Sequence, residues 1–145
     1  YWASFYEQLA RRMGDPRTEE GRKWLTERSP LTHADKISKP LLIGQGANDP
    51  RVKQAESDQI VEAMKAKNIP VTYVLFPDEG HGFARPENNK AFNAITENFL
   101  AKCLGGRAQP IGEDLKGSSV TVPTGADGVE GLSAALQAHT QDVRK

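Results

Sequence analysis

One aspartate and one histidine in this 145-residue chain occupy positions at which their side chains could act together in proton transfer. Asp49 follows the short apolar run 41–43, and His81 follows the apolar run 71–76 inside a Gly-His-Gly sequence. A carboxylate that accepts a hydrogen bond from one imidazole nitrogen leaves the other nitrogen free to act as a general base. The flanking glycines allow a sharp turn and leave the ring uncrowded. We therefore predict that Asp49 and His81 are catalytic residues.

The segments that carry these two residues predict a strand–helix–strand unit. Residues 41–43 lack polar alternation, which is typical of a buried strand, and residues 71–76 are rich in β-branched and aromatic side chains. The amphipathic segment 55–67 between them predicts a helix. This order implies parallel strands joined by a right-handed crossover, and sites in such sheets form at the carboxyl ends of the strands. Asp49 and His81 should therefore meet at one edge of the sheet.

Further helices are predicted around this unit. Apolar periodicity and stop signals indicate them at residues 2–13, 18–27 and 86–104. Cys103 lies on the apolar stripe of the last of these helices, so we expect it to be a small core residue. Beyond Gly106 the composition shifts to Gly, Pro, Ser and Thr, and only residues 129–138 could form another short helix. We therefore expect residues 1–106 to be catalytic-domain sequence and 107–145 to be a mostly irregular tail that adds little to the core.

The order of the two candidate residues agrees with one known arrangement. The α/β-hydrolase fold carries its triad in the chain order Ser, then Asp or Glu, then His, with the serine in a Gly-x-Ser-x-Gly turn. No such turn occurs in this chain, and Ser119 and Ser133, each two residues after a glycine, both follow the histidine. We therefore expect a partial α/β-hydrolase fold, consisting of the last parallel strands of the sheet with flanking helices, and a serine upstream of Tyr1.

Several motifs resemble one family of serine peptidases. They are GANDPRV at 46–52, QAES at 54–57, FPDEGHGF at 76–83, RSP at 28–30 and LGG at 104–106. Together they resemble the prolyl oligopeptidase family, and most of all its acylaminoacyl-peptidase and dipeptidyl-aminopeptidase-like branch. The likeness covers roughly residues 1–110 and is most specific between Ile43 and Phe83. The chain is thus expected to be a C-terminal fragment of such a catalytic domain.

The resemblance implies a serine-type peptidase that cleaves peptide bonds through an acyl-enzyme, with Asp49 and His81 as triad members. It also implies that Arg51 and Val52 face the substrate pocket. The nucleophile, the oxyanion-hole loop and an N-terminal β-propeller would belong to a missing N-terminal part of the same protein. This chain departs from the pattern at Lys53, where many relatives have proline, which should affect only how the following helix begins.

Two other functions stay open at this point. An esterase or lipase of the same fold would use the same triad, and a hydrolase-like interaction module would lack the serine altogether. Asp78 and Glu79 are rival carboxylates near His81, although loop capping or a solvated charge accounts for them more simply. Asp49 itself could be only a turn former in its Asn-Asp-Pro sequence.

Composition excludes several classes of function. Nineteen basic residues balance nineteen acidic ones, so there is no electrostatic reason to expect nucleic acid or an anionic membrane as a partner. No His-Glu-x-x-His or Cys-x-x-Cys pattern occurs, and the glycines at 44 and 46 lack the third glycine of a dinucleotide fingerprint. We expect no metal and no cofactor, and a peptide as substrate. Composition assigns neither a compartment nor an oligomeric state, so a homo-oligomer stays open.

Overall fold

A parallel strand pair joined by a helix forms the centre of the structure, a computed structural model that describes residues 5–143. Strand β1 (Leu41–Gly46) and strand β2 (Val71–Phe76) run side by side in register from Leu41 opposite Val71 to Gly46 opposite Phe76. Helix α3 (Gln54–Ala66) connects them. The strand–helix–strand prediction is therefore confirmed, because the two strands carry strong local signals that tertiary packing did not override.

The chain divides into two compact units, Tyr1–Ile37 and Ser38–Lys145. The first contains helix α1 (Tyr6–Met13), helix α2 (Glu19–Arg28) and a 3-10 helix (Pro30–Lys36). Thr18 caps α2 by accepting a hydrogen bond from the backbone N–H of Gly21, which is the ordinary role of threonine at this position. Both predicted helices are thus present, although Trp2 of the first stripe lies outside the described residues.

Helix α4 (Pro86–Leu104) follows β2 and ends at Gly105, whose φ of 74° lies in the left-handed region. Its bounds agree with the predicted helix because Pro at the first position is a strong start signal and Gly after the last position is a strong stop signal. One expectation on this helix was wrong: Cys103 is exposed. Within the described residues 5–143, the last turn of α4 is open on that side, and the neighbouring Leu104 is 79% exposed.

The segment after Gly106 differs most from what its composition suggested. It forms strand β3 (Thr121–Thr124), a 3-10 helix (Ala126–Gly128) and helix α5 (Leu132–Val143). β3 pairs antiparallel with β2, giving the sheet order β1-β2-β3. A strand containing Pro123 is tolerated there because β3 lies at the edge of the sheet, where the missing N–H breaks no inner ladder.

The tail also supplies most of the largest buried apolar cluster among the described residues, which corrects the expectation that it adds little to the core. Six of the ten residues in the buried cluster come from this segment: Ile111, Leu115, Val120, Val129, Leu132 and Ala135. The other four are Val74, Phe76, Ala91 and Ile95. Turns rich in glycine and serine separate the apolar residues of the tail, so no helical or strand period shows in the sequence between residues 107 and 128. These six residues are nevertheless buried in one cluster with side chains of β2 and α4.

Candidate active site

Asp49 lies in the loop after β1, and its own backbone neighbours hold its carboxylate. Oδ1 accepts hydrogen bonds from the backbone N–H groups of Arg51 at 2.8 Å and Val52 at 2.9 Å. This is the local turn that aspartate favours in an Asn-Asp-Pro sequence. The turn leaves Oδ2 free to meet a partner from another loop. The same residue therefore forms the turn and presents a carboxylate oxygen.

That partner is His81, in the loop after β2. Nδ1 of its ring lies 2.9 Å from Asp49 Oδ2, so the predicted contact between these two side chains is confirmed. A carboxylate only accepts, so Nδ1 carries a proton, and in the neutral ring Nε2 then has a free lone pair. The Asp49 side chain is 8% exposed, whereas that of His81 is 47% exposed. The pair thus has a buried carboxylate at one end and an accessible base at the other.

Asp49 is held in its charged form. Desolvation raises the pKa of its carboxyl group, but the backbone N–H groups of Val52 and Arg51 and the ring of His81 outweigh it and bring the pKa below its usual value. A carboxylate that is ionised at neutral pH fixes the tautomer of its imidazole partner and stabilises the imidazolium once a proton arrives. The geometry and the charge of this pair therefore suit general-base chemistry.

Glu79 closes the loop that carries His81. Its buried carboxylate accepts hydrogen bonds from the backbone N–H groups of Ala84 and Arg85, both at 2.9 Å, and from Asn88 Nδ2 at 2.8 Å. The Glu79 carboxylate at the start of the loop is thus hydrogen-bonded to the backbone at the end of the same loop. Glu79 is therefore a loop cap and not a rival partner for His81, whose Nδ1 is bonded to Asp49.

Acid should open this loop cap. Burial raises the pKa of Glu79, but the N–H donors of Asn88, Ala84 and Arg85 outweigh it and hold the pKa below the usual 4.5. Because the folded-state pKa is the lower one, the stabilisation is complete above that usual value and is lost as pH falls through the folded-state pKa. We expect the Ala84 and Arg85 amides to lose hydrogen-exchange protection in this acidic range, after correction for intrinsic exchange.

Two comparisons test this expectation. The amide of Gly105, which bonds to Ala101 O at the far end of α4, should keep its protection over the same range. Glu79→Gln should weaken protection at Ala84 and Arg85 already at neutral pH and flatten its pH dependence. Equal pH dependence in both proteins would show that Glu79 does not close the loop.

Asn48 joins the two loops directly. Its backbone N–H donates to Glu79 O at 2.9 Å, and its side-chain Nδ2 donates to Pro77 O at 2.8 Å. The backbones approach so closely here that a Cβ on Gly46 would lie 2.3 Å from Gly80 O. Glycine at 46 is therefore required for the aspartate loop to reach the histidine loop.

Gln45 supports the aspartate loop from the end of β1. Its Nε2 donates to Gly46 O and Val52 O, both at 2.9 Å, and its Oε1 accepts from Ser57 Oγ at 2.6 Å. Gln45 thus ties the loop around Asp49 to the first turns of α3. The sequence offered a signal for it, since a glutamine interrupts an otherwise apolar and glycine strand.

Phe83 anchors the histidine loop to the body of the domain. Its ring centroid lies 4.5 Å from that of Phe76 and 5.1 Å from that of Phe92. Such tilted and edge-on pairs are favourable beyond the area they bury. The anchor lies two residues after His81, so it fixes the chain to the aromatic cluster close to the imidazole.

Arg51 and Val52, which the resemblance places in the substrate pocket, have exposed side chains next to Asp49. Their backbone N–H groups serve the aspartate. Their contact with substrate stays a prediction. Among the described residues, no group of three or more His, Cys, Asp or Glu side chains is placed to hold a metal ion. Within that same part of the chain, every helix is too short or too polar to cross a bilayer.

Comparison with known proteins identifies the origin of this arrangement. The model of the prolyl oligopeptidase family, Peptidase_S9, matches residues 1–107. The chain belongs to the prolyl oligopeptidase family. The sheet and the two loops that carry Asp49 and His81 are therefore part of an α/β-hydrolase fold. The fold class predicted from the sequence is confirmed.

Two relatives show how much of a family member the chain represents. Dipeptidyl aminopeptidase BIII of Pseudoxanthomonas mexicana is 81% identical over 145 residues, which is all of this chain and 21% of the relative. Dipeptidyl peptidase family member 6 of Caenorhabditis elegans is 49% identical over 138 residues, or 94% of this chain and 18% of the relative. The chain therefore spans about a fifth of the length of these relatives.

A solved structure agrees with the fold. A puromycin-hydrolyzing peptidase of Mycobacterium tuberculosis superposes with a TM-score of 0.64 and 31% identity, over 73% of this chain and 17% of the other.

Proposed function

We propose that the full-length protein is a serine peptidase of this family and that the present chain supplies its Asp49 and His81. The observation that carries the proposal is the 2.9 Å hydrogen bond between His81 Nδ1 and a buried carboxylate, with the His81 side chain 47% exposed. The serine would come from sequence outside these 145 residues, which contain no Gly-x-Ser-x-Gly turn.

The chemistry follows from the direction of this hydrogen bond. Nε2 of His81 would accept the proton of the serine hydroxyl as its oxygen attacks the carbonyl carbon of the peptide bond. Asp49 would stabilise the imidazolium that forms and keep the ring in one orientation. The imidazolium would then give its proton to the leaving amine as the carbon–nitrogen bond breaks. Water would hydrolyse the acyl-enzyme by the same steps, again with His81 as the base.

The names of the relatives suggest the substrate class. All 145 residues of this chain align with a dipeptidyl aminopeptidase at 81% identity, so the chain should serve the same kind of reaction. We propose the release of dipeptides from the amino ends of short peptides. Arg51 and Val52, exposed beside the aspartate, are the residues of this chain that we propose to contact substrate.

The isolated 145-residue chain should not hydrolyse dipeptidyl-p-nitroanilides or p-nitrophenyl esters. A base without its nucleophile and oxyanion hole has no group to activate and no developing charge to stabilise. A fluorophosphonate probe should likewise leave this chain unlabelled. In the full-length protein it should label one serine outside these residues, as located by mass spectrometry.

The matched control is His81→Ala in the full-length protein, which should react with the probe far more slowly. A labelled serine within the 145 residues, such as Ser119 or Ser133, would contradict the proposal. Turnover of p-nitrophenyl esters without measurable turnover of any dipeptidyl anilide would favour an esterase instead.

A further inference from the structure

We propose that Asn88 is a positioning residue that couples the C-terminal segment to the His81 loop. The inference rests on the proposed function, because it assigns Asn88 the task of holding His81 at Asp49. It concerns a residue that contacts neither member of the pair. It also gives the segment after Gly106 a part in the site, in addition to its part in the core.

Asn88 lies at the centre of a buried polar network at the start of α4. It is fully buried, at 0% exposure, on the helix face that also carries Ala91, Ile95 and Asn98. An asparagine in such a place must satisfy both its donor and its acceptor. Nδ2 donates to Glu79 Oε1 at 2.8 Å and to Asp78 Oδ1 at 3.1 Å. Asn88 therefore holds the two acidic residues that precede His81.

The acceptor of the same side chain reaches the C-terminal segment. Asn88 Oδ1 accepts a hydrogen bond from the backbone N–H of Ser119 at 2.8 Å. The segment makes further contacts with the same loop, since Ser119 Oγ donates to Asp78, and Arg85 Nη2 donates to Gly117 O at 2.9 Å. The turn at residues 117–119 is thus bonded to the start and the end of the histidine loop, with Asn88 between them.

The network acts on both catalytic loops through Glu79. Its side chain closes residues 79–85 around His81, and its backbone carbonyl accepts from the N–H of Asn48, the residue before Asp49. Glu79 is buried, yet it has no ion pair among the described residues, and its charge depends on N–H donors alone. Removing the Asn88 donor would therefore displace Glu79. This displacement would change the distance between His81 and Asp49.

Asn88→Asp in the full-length protein tests this inference. The substitution keeps the shape and the acceptor for Ser119 but replaces the donor with a third carboxylate beside Asp78 and Glu79. Because a 1 Å misplacement in an active site can lower the rate by about 100-fold, we expect kcat for a dipeptidyl-p-nitroanilide to fall between about 10- and 100-fold. KM should change by less than about threefold, since no substrate contact is lost. The acidic limb of the pH–kcat profile, which reports the base, should shift.

Asn98→Ala is the matched control. Asn98 is a second asparagine on the buried side of α4, 8% exposed, and it also bonds to the C-terminal segment, at Gln109 O. Its loss removes a helix–tail hydrogen bond far along the helix from the histidine loop. We expect a lower melting temperature from Asn98→Ala, with kcat and the pH profile unchanged. Equal effects of the two variants on kcat would show that Asn88 has a merely structural role and would overturn the proposal.

A surface variant keeps the test decisive if Asn88→Asp fails to fold. Arg85→Ala removes two contacts of an exposed side chain, a hydrogen bond to Gly117 O and an ion pair with Asp78, and should lower kcat about two- to fivefold because exposed contacts of this kind contribute little. If Asn88→Asp and Arg85→Ala, where they fold, leave kcat and the pH profile unchanged, the inference is overturned. His81→Ala separates the two proposals: if it leaves turnover intact, the proposed function fails, whereas its inactivity with an unaffected Asn88→Asp refutes only the coupling.

Discussion

His81→Ala should remove nearly all peptidase turnover from the full-length protein, and Asp49→Asn should lower kcat by about 10⁴-fold, the loss found when a triad aspartate is replaced in this way. Without the imidazole, no group in the observed geometry can take a proton from a serine. The asparagine variant keeps the ring but changes its tautomer, since its amide nitrogen would donate to Nδ1 and leave the proton on Nε2. Steady-state kinetics would measure both losses, with circular dichroism as the check on folding.

The local structure sharpens this comparison. Asp49 Oδ1 accepts from two backbone N–H groups, whereas Oδ2 faces His81. Asparagine can keep its oxygen on the backbone side, so the loop should survive while the contact with the imidazole is inverted. Asp58→Asn is a suitable control because Asp58 also accepts from a side chain, the Tyr73 hydroxyl at 3.0 Å, but on α3 and away from the pair. Normal turnover in Asp49→Asn would refute the triad assignment.

Deleting residues 107–145 should prevent the catalytic domain from folding, contrary to the modest effect that composition suggested. The deletion removes six of the ten residues of the buried cluster, together with the strand that covers the outer edge of β2. β2 would then present an unpaired edge and exposed apolar side chains, which favours association. We expect the protein that lacks only residues 107–145 to be insoluble or aggregated. Sedimentation and limited proteolysis would measure this.

A pair of leucine substitutions tests the same point without a large deletion. Leu132 is 0% exposed in the core, and Leu104 is 79% exposed at the end of α4. Leu132→Ala should lower the free energy of unfolding by about 2–5 kcal/mol, the range for buried leucines. Leu104→Ala should change it by no more than about 0.5 kcal/mol, as at other surface positions. Equal resistance of both variants to urea and proteolysis would show that the tail is not part of the core.

The sequence alone predicted the elements and the pair that depend on local signals. β2 and α4 have strong residue preferences and clear stops, so their bounds agree with the structure. The approach of Asp49 to His81 followed from topology, since two parallel neighbours end at one edge of a sheet. Even the loop role of Glu79 was open to prediction from its place beside the Gly-His-Gly turn.

Tertiary structure decided what depends on contacts between distant parts of the chain. Ser119 meets Asn88 across 31 positions, and β3 becomes a strand only because the edge of β2 is there to pair with it. Cys103 shares a helical stripe with the buried Ile95, yet it is exposed because none of the described elements covers it at the last turn of α4. Helical or strand periodicity records which side chains share a face, but burial requires a partner for that face. The chain after Gly106 has almost no period, and its inward side chains were therefore set by packing against β2 and α4.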